Sequence, residues 1–322
     1  MTSTMLPPGP ASPQPPLAPA TPAPSAGRRP VPAGPARARL RPDAGQLVGA
    51  GLTILATLLL GLVLDLGPIG AIQHLRDHDT GYAALRETLA KGTTPIGQRD
   101  NNGHPVQPGT PIALLEIPQL GLREVVREGS SGEVLAAGPG HRRDTPMPGQ
   151  AGTSILMGRQ AGFGGPFGSI DQLRPSETFK VTTGQGVQNF RVLDVRHAGD
   201  PVPDQPKSGA GRLILVTGDG PAFEPSGVLL VDADLVSDVQ DADPRPFSTA
   251  ALPAAERAMG TDPGAWVPLV LWGEGLLLAV VALTLLRARW GRAQSWAVGV
   301  PVLAALGLAV ADQVACLLPN LI

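Results

Sequence analysis

Three long apolar runs constrain the fold of this chain more than any other feature of its sequence. They cover residues 44–64, 265–286 and 296–322, and the first contains no charged residue. A helix of about 20 apolar residues is long enough to cross the hydrocarbon core of a bilayer. The chain is therefore predicted to be a membrane protein with spans at 44–66, 265–286 and 296–318.

Two alternatives to three spans are weaker. A cleaved secretory signal peptide has a shorter apolar core, and the polar lead of about 40 residues before the first run is long for one. A single anchor with the last two runs as core helices of a soluble domain is disfavoured, because the intervening region has its own strand pattern. We interpret the first run as an uncleaved anchor.

Basic residues predict the orientation of these spans. Arginines cluster within 28–41, before the first span, and within 287–292, between the second and third spans. Lys and Arg near span ends accumulate on the cytoplasmic side. The expected location is the cell membrane, with a cytoplasmic N-terminus, residues 67–264 exported and the C-terminus outside.

Charge and cysteine usage narrow the classes of function. The formal net charge is -2 and aromatic residues make up 3% of the chain, so nucleic acid is not an expected partner. The single cysteine, Cys316, cannot form an intramolecular disulfide and is a poor metal ligand, so we interpret it as a small buried apolar residue. Neither a metal nor a cofactor is predicted.

Composition divides the rest of the chain into segments. Residues 1–43 are rich in Pro and Ala and are predicted to be a disordered cytoplasmic tail. Its PQPP stretch is of the kind that binds aromatic grooves of a cytoplasmic protein. The alternative is that the tail is only a spacer. The remaining segments are a stalk helix with a linker at 67–109, a linker at 237–264 and a basic cytoplasmic loop at 287–295.

The exported region between 110 and 236 carries the signal of a β domain. Seven short apolar runs rich in β-formers alternate with Gly and Pro, which is typical of strands joined by tight turns. Seven strands with few helical periods indicate a mainly β fold, a closed or partly closed barrel. The runs are PIALLEIP, GLREVV, TSILMG, TFKVTT, VQNFRVLDVR, RLILVTG and GVLLVDADL.

Five motifs add a family resemblance over residues 110–236. They are IPQLGL at 117–122, GPGHRRDTPMPGQAG at 138–152, SILMG at 154–158, FGGPFGSIDQL at 163–173 and LILVTG at 213–218. Their order and spacing resemble the sortase family, the membrane-anchored cysteine transpeptidases of Gram-positive cell surfaces, and most closely its actinobacterial branches. The resemblance implies a sortase-like closed β-barrel.

The same resemblance implies a catalytic cysteine, histidine and arginine, and none of the three is present. The family's cysteine follows the Thr that ends its strand, and here Gly218 follows Thr217. Arg159 stands at the histidine position after SILMG, and Val228 stands at the arginine position. Glycine has no nucleophile, and a guanidinium does not exchange protons at neutral pH.

The chain is therefore predicted to be a pseudoenzyme that acts as scaffold, adaptor or regulator in a cell-envelope assembly. The expected partners are the bilayer and a membrane or surface protein. An extended peptide resembling a sorting signal is a further candidate ligand, because strand addition needs no catalytic group. A purely structural role for the barrel is the alternative.

A different class of function remains open, an active sortase-like transpeptidase or hydrolase with a non-cysteine nucleophile. Thr217, Asp219 and Ser226 are the candidate nucleophiles, and His197 is the exported histidine that follows a strand of the barrel. We interpret His197 as a solvated turn residue. Arg159, Thr217 and Asp219 are the predicted residues of the vestigial cleft, with an ion pair between Arg159 and Asp219 as one hypothesis.

Two carboxyl groups in the predicted spans suggest contacts inside the bilayer. Glu274 lies roughly 12 Å into the second span and Asp312 roughly 24 Å into the third, at a rise of about 1.5 Å per residue. Intramembrane carboxyl groups usually face protein or water. We predict that they contact each other, Gln313 or a partner's helix, or that Asp312 reaches the interface.

Overall fold

The computed structural model describes residues 52, 56–242, 247–290 and 292–322. The predicted tail at 1–43 and the beginning of the first predicted span lie outside the described residues. The described residues form eight β-strands, which close into a barrel, and four α-helices. Short 3-10 turns lie in the segments that connect them.

The strands close into a barrel with the order β1-β2-β3-β4-β7-β8-β6-β5. The pairs β2–β3 and β4–β7 are parallel, and the other neighbouring pairs are antiparallel. The strands are β1 (Pro111–Ile117), β2 (Leu122–Glu128), β3 (Gly140–His141), β4 (Gly152–Met157), β5 (Thr178–Thr183), β6 (Gly186–His197), β7 (Gly211–Asp219) and β8 (Gly227–Leu235).

The prediction of a closed barrel is confirmed, with one strand more than the sequence indicated. The missed strand is β3, which has two residues within the GPGH motif and is too short to show any alternation. Every second side chain of the longer strands points into the barrel interior, because successive side chains of a strand point to opposite faces. The core includes Leu115, Ile117, Val126, Leu156, Phe167, Phe190, Leu213, Leu215 and Val231.

A buried polar pair lies among these apolar residues. The ring Nδ1 of His141 is 2.9 Å from Oε2 of Glu128, and its Nε2 is 3.0 Å from the carbonyl oxygen of Pro146. Burial lowers the pKa of His141, but the charge and hydrogen bond of Glu128 outweigh burial, so the pKa is raised. His141 belongs to the interior of the barrel.

The four helices are α1 (Ala56–Lys91), α2 (Gly132–Ala136), α3 (Trp266–Trp290) and α4 (Arg292–Leu317). Three segments, Ala56–Lys91, Pro263–Leu286 and Ala293–Leu317, are long and apolar enough to cross a membrane. The predicted basic loop at 287–295 is instead largely helical, because α3 extends to Trp290 and α4 begins at Arg292. The Arg and Ala residues of this segment have high helix propensity. The helices therefore continue beyond the apolar runs from which their ends were predicted.

The predicted boundary between span and stalk falls in a distorted turn of α1. Residues Asp65–Ile69 are π-helical, and Gly67 has non-helical angles there (φ -95, ψ -107). Pro68 causes the distortion, since proline has no N–H to donate and its ring clashes with the preceding turn. The backbone N–H of Phe163, in the loop after β4, donates to the Leu66 carbonyl at 2.9 Å.

Two of the long helices contact the barrel at one end, and the third begins beside them. Leu66 of α1, Phe163 of the barrel and Ala315 of α4 form a single buried cluster. The backbone N–H of Asp262, just before α3, donates to the Cys316 carbonyl of α4 at 3.0 Å. This end of the barrel also contains the three positions that the family resemblance marks.

Candidate functional site

The strand pairing brings the three marked positions together. Gly218 of β7 lies directly opposite Val228 of β8. Arg159 follows β4, which runs parallel to β7, and the N–H of Gly158 donates to the Val216 carbonyl at 3.0 Å. We call the region around these three positions the cleft.

The space beside Gly218 is already occupied. A β-carbon built on Gly218 would lie 3.1 Å from Oε1 of Gln160, 3.1 Å from Cβ of Pro225 and 3.2 Å from the Leu321 carbonyl oxygen. These distances are shorter than ordinary van der Waals contacts. A side chain at this position would therefore have to displace its neighbours, one of which belongs to the C-terminal end of the chain.

Residues 318–322, which we call the cleft segment, follow α4 and pack against the barrel beside β4 and β7. Leu321 is fully buried and packs with Leu135, Met157 and Val216. Its carbonyl accepts a 2.9 Å hydrogen bond from the backbone N–H of Gln160. The cleft segment thus provides both an apolar anchor and a main-chain hydrogen bond at the end of β4.

Asn320 fixes the cleft segment to two other parts of the chain. Its side-chain amide donates to the carbonyls of Ser130 at 2.8 Å, Arg257 at 2.9 Å and Ala255 at 3.2 Å. Its backbone N–H donates to the Gly260 carbonyl at 2.9 Å. Asn320 is 1% exposed and Ser130 is fully buried, so water cannot easily replace the bond between them.

The Arg159 guanidinium is buried in this cleft at 1% exposure. Its Nη2 donates to the Gly132 carbonyl at 2.7 Å, its Nη1 donates to the Ile322 carbonyl at 3.2 Å, and its Cζ lies 4.6 Å from the centre of the Phe163 ring. Burial lowers the pKa of Arg159 to about 10, although Cys316 and Asp65 oppose this shift. Arg159 thus remains a cation at neutral pH and serves as a hydrogen-bond donor.

The hypothesis of an ion pair between Arg159 and Asp219 is wrong. Arg159 extends inward to main-chain carbonyls, whereas Asp219 lies at the end of β7 and its Oδ2 is 2.8 Å from Nδ1 of His197. This hydrogen bond and the charge of Asp219 raise the pKa of His197. His197 is solvated, as its 59% side-chain exposure indicates, but it has a carboxylate partner.

The other candidate nucleophiles do not form a nucleophile–base pair. Thr217 is buried and its hydroxyl donates to the Gly158 carbonyl at 2.9 Å. Ser226 is exposed, and its backbone N–H donates to the Asp219 carbonyl at 2.8 Å. A hydroxyl nucleophile requires a base within hydrogen-bond reach, and no such contact is present for Thr217.

A cavity of about 470 Å³ adjoins the cleft where the barrel meets the helices. Arg159 and Cys316 both line it, so the only cysteine of the chain lies in the cavity that contains the family's histidine position. Asp312 and Gln313 line it as well. The interpretation of Cys316 as a mere apolar filler is therefore incomplete.

The two predicted intramembrane carboxyl groups lie in different environments. Asp312 of α4 is next to Asp65 of α1, and Arg159 interacts with the same Asp65. Glu274 is exposed on α3 and is not part of the cavity lining. Glu274 and Asp312 were predicted to contact each other, Gln313 or a partner's helix, but Asp65, rather than Glu274, is the carboxyl neighbour of Asp312.

The described residues contain no group of three or more His, Cys, Asp or Glu side chains arranged to hold a metal ion.

Sequence reasoning missed Asp65, Asn320, Leu321 and Ile322 as site residues. Asp65 ends an apolar run and could have been paired with Asp312 on that ground. The cleft segment gave only one signal, Pro319 after an apolar run, which marks a helix end and predicts no tertiary contact.

Comparison with known families agrees with this geometry. Residues 115–236 match the family model of the sortase domain, which is the segment that folds as the barrel. We find no match to the chain among curated proteins.

Solved structures similar to the chain include three sortases. A sortase transpeptidase from Clostridium perfringens is 20% identical, with 50% of this chain and 99% of that chain covered and a TM-score of 0.42. The SrtF sortase from Corynebacterium diphtheriae is 21% identical, with 47% and 97% covered and a TM-score of 0.38. A sortase E variant from Streptomyces avermitilis is 28% identical, with 47% and 100% covered and a TM-score of 0.35.

The family match rests on the same strands that close the barrel, from β1 through β8. The segment that matches the sortase-domain model therefore forms the closed eight-stranded barrel, and this barrel has the sortase fold.

Proposed function

We propose that this chain is a catalytically inactive sortase-like membrane protein that acts as a scaffold, adaptor or regulator in a cell-envelope assembly. The observation that carries the proposal is the position of the cleft segment, which fills the space where a sortase would hold its nucleophile and substrate. The three marked positions support the same conclusion, because Gly218 is no nucleophile, Arg159 is no proton carrier and Val228 is no cationic stabiliser at the family's arginine position.

Tethering strengthens the effect of the cleft segment. Its residues are covalently joined to α4, so they occupy the cleft at a high effective concentration. A free peptide would have to displace the buried Leu321 side chain and the four hydrogen bonds of Asn320. Any extended peptide that binds the cleft must therefore compete with this segment.

The same contacts support an orientation in the membrane. Leu66 of α1 and Ala315 of α4 pack with Phe163 of the barrel, and Asp262, just before α3, bonds to α4 beside them, which is what alternating spans require when one domain lies on one side. The basic clusters then favour a cytoplasmic N-terminus and an exported barrel.

The proposal is tested by a turnover assay on the full chain in detergent micelles. The substrate is a fluorogenic peptide bearing a sorting signal. The variants Thr217→Val, Ser226→Ala and Cys316→Ser serve as matched controls for the candidate nucleophiles. We expect the wild type and all three variants to show the same background rate. Turnover by the wild type that one variant abolishes would identify an active enzyme and its nucleophile.

The alternative function is an enzyme with a relocated thiol nucleophile. One observation favours it: Cys316 lines the same cavity as Arg159, which could stabilise a developing oxyanion. Against it, no histidine is among the described residues that line this cavity, so the thiol lacks the base with which a sortase pairs its cysteine. Loss of wild-type turnover in Cys316→Ser alone would establish this alternative.

A further inference from the structure

Glu274 occupies an unusual position on α3. It is the only charged residue between Trp266 and Leu286, and it lies eight residues, or roughly 12 Å, from the barrel end of the helix. It is exposed, and no hydrogen bond or ion pair joins it to the described part of the chain. A carboxyl group at this depth in a membrane is costly unless another group satisfies it.

The two faces of α3 have different neighbours. One face packs on α4, where a β-carbon built on Gly299 would lie 3.3 Å from Leu283, and one built on Gly275 would lie 4.0 Å from Leu306. At 100° per residue, Glu274 points away from this face. It lies in a stripe of exposed side chains formed by Val267, Val270, Leu271, Leu278, Val281 and Leu285.

We propose that this stripe, with Glu274 at its centre, is the docking surface for a helix of a different membrane protein that presents a basic side chain to Glu274. The inference rests on the proposed adaptor function and names the chemistry of its partner. Charge complementarity supports this partner, because a basic group at the same depth would satisfy the carboxyl group, which has no partner among the described residues.

A second copy of the chain does not supply that basic group. The candidate spans contain no Lys or Arg between residues 56 and 73, 263 and 286, or 293 and 317. Two copies that met through this stripe would oppose Glu274 to Glu274 or to another acidic residue, Asp65 or Asp312. The partner is therefore a different protein.

The residues next to Glu274 are suited to close approach by a partner helix. Gly273 directly precedes Glu274, and a β-carbon built on it would have no neighbour within 4 Å among the described residues. Small residues allow two helix backbones to approach closely in a membrane. They leave room for a partner's long basic side chain to reach Glu274.

The test uses the full chain in phosphatidylcholine vesicles with model transmembrane peptides. The peptides have a Leu/Ala host sequence, with either a single Arg eight residues from one end or Leu at that position. Association is measured by energy transfer between dyes on the N-terminal tail of the protein and on the peptide. We expect the Arg peptide to associate about 10-fold more tightly than the Leu peptide, a preference of about 1.4 kcal/mol.

Glu274→Leu should abolish this preference, whereas the matched control Thr284→Leu, on the same helix, should keep it. In the double variant Glu274→Leu/Leu278→Glu, the preferred peptide should be one with its Arg one turn deeper. Equal association of both peptides with the wild type would overturn the proposal. So would an Arg preference that survives Glu274→Leu, or Glu274-dependent energy transfer between copies of the protein. None of these results bears on turnover, so the adaptor surface and the loss of catalysis are tested separately.

Discussion

Two buried charged sites in this barrel are stabilised in different ways. His141 lies beside the Glu128 carboxylate, and both come from the neighbouring strands β2 and β3. Arg159 has instead two main-chain carbonyls and an aromatic ring as its neighbours, and one of the carbonyls belongs to Ile322, 163 residues further along the chain. The first site is a property of the barrel alone, whereas the second is complete only when the cleft segment is in place.

Arg159 differs from a proton carrier in its surroundings as well as in its chemistry. A proton carrier must be reachable by substrate and must change charge near neutral pH. Arg159 meets neither requirement, since it is buried and cationic, and its donors are used to hold the backbone. The cleft thus contributes to the junction of barrel and helices.

The largest expected effect concerns the intrinsic site. Glu128→Ala would leave His141 buried without its carboxylate, and breaking a buried pair on one side costs about 3–5 kcal/mol. We expect a large drop in the thermal unfolding midpoint of the full chain in detergent. The exposed Glu224→Ala is the control and should leave the midpoint unchanged. A small effect of Glu128→Ala would contradict the view that the barrel depends on this pair.

The next effect concerns the cleft segment. Asn320→Ala removes the donor for the buried carbonyl of Ser130 and for the carbonyls of Ala255 and Arg257, and an unsatisfied buried polar group costs about 1–3 kcal/mol. We expect the cleft segment to open more often, so that a polar maleimide labels Cys316 roughly 10-fold faster. The exposed Asn101→Ala is the matched control. Unchanged labelling would show that Asn320 does not hold the segment in the cleft.

A pH effect distinguishes the two sites further. The pKa of His141 is raised in the folded barrel, so its pairing stabilises the protein fully below the unfolded pKa of about 6.5 and the contribution is lost as the pH rises through the folded pKa. We expect the unfolding midpoint of the wild type to fall with rising pH above about 6.5. His141→Asn should flatten this dependence, and an equally steep profile in that variant would rule out His141 as its source.

The smallest effect is expected at the exposed pair on the rim of the cleft. Asp219→Asn removes the carboxylate that raises the pKa of His197, so the pKa should decrease, as measured by NMR titration of the imidazole. The pair stabilises the fold only below the raised pKa of His197, and solvent screens it. We therefore expect no change in the unfolding midpoint, and a large loss would place this pair in the cleft's supporting structure.

The prediction from sequence succeeded where the signal was local. The strands β4, β7 and β8 were predicted from short runs rich in apolar residues, and the fold brings Arg159, Gly218 and Val228 together at their ends. It failed where the signal was not local. The hypothesis of a pair between Arg159 and Asp219 rested on their expected proximity. Arg159 instead donates to the Gly132 carbonyl, and Asp219 contacts His197.

The sequence by itself determined the barrel, the apolar length of three helices and the absence of the family's reactive groups at the marked positions. Strand alternation, apolar run length and residue identity are local properties, and each can be read without knowing any contact. Only the tertiary structure decided that the cleft segment fills the cleft, that Cys316 and Arg159 share a cavity, and that Asp65 rather than Glu274 lies beside Asp312. These depend on how a proline-distorted helix and a distant chain segment pack on the barrel. Such packing is governed by buried area and hydrogen bonding between residues far apart in the sequence.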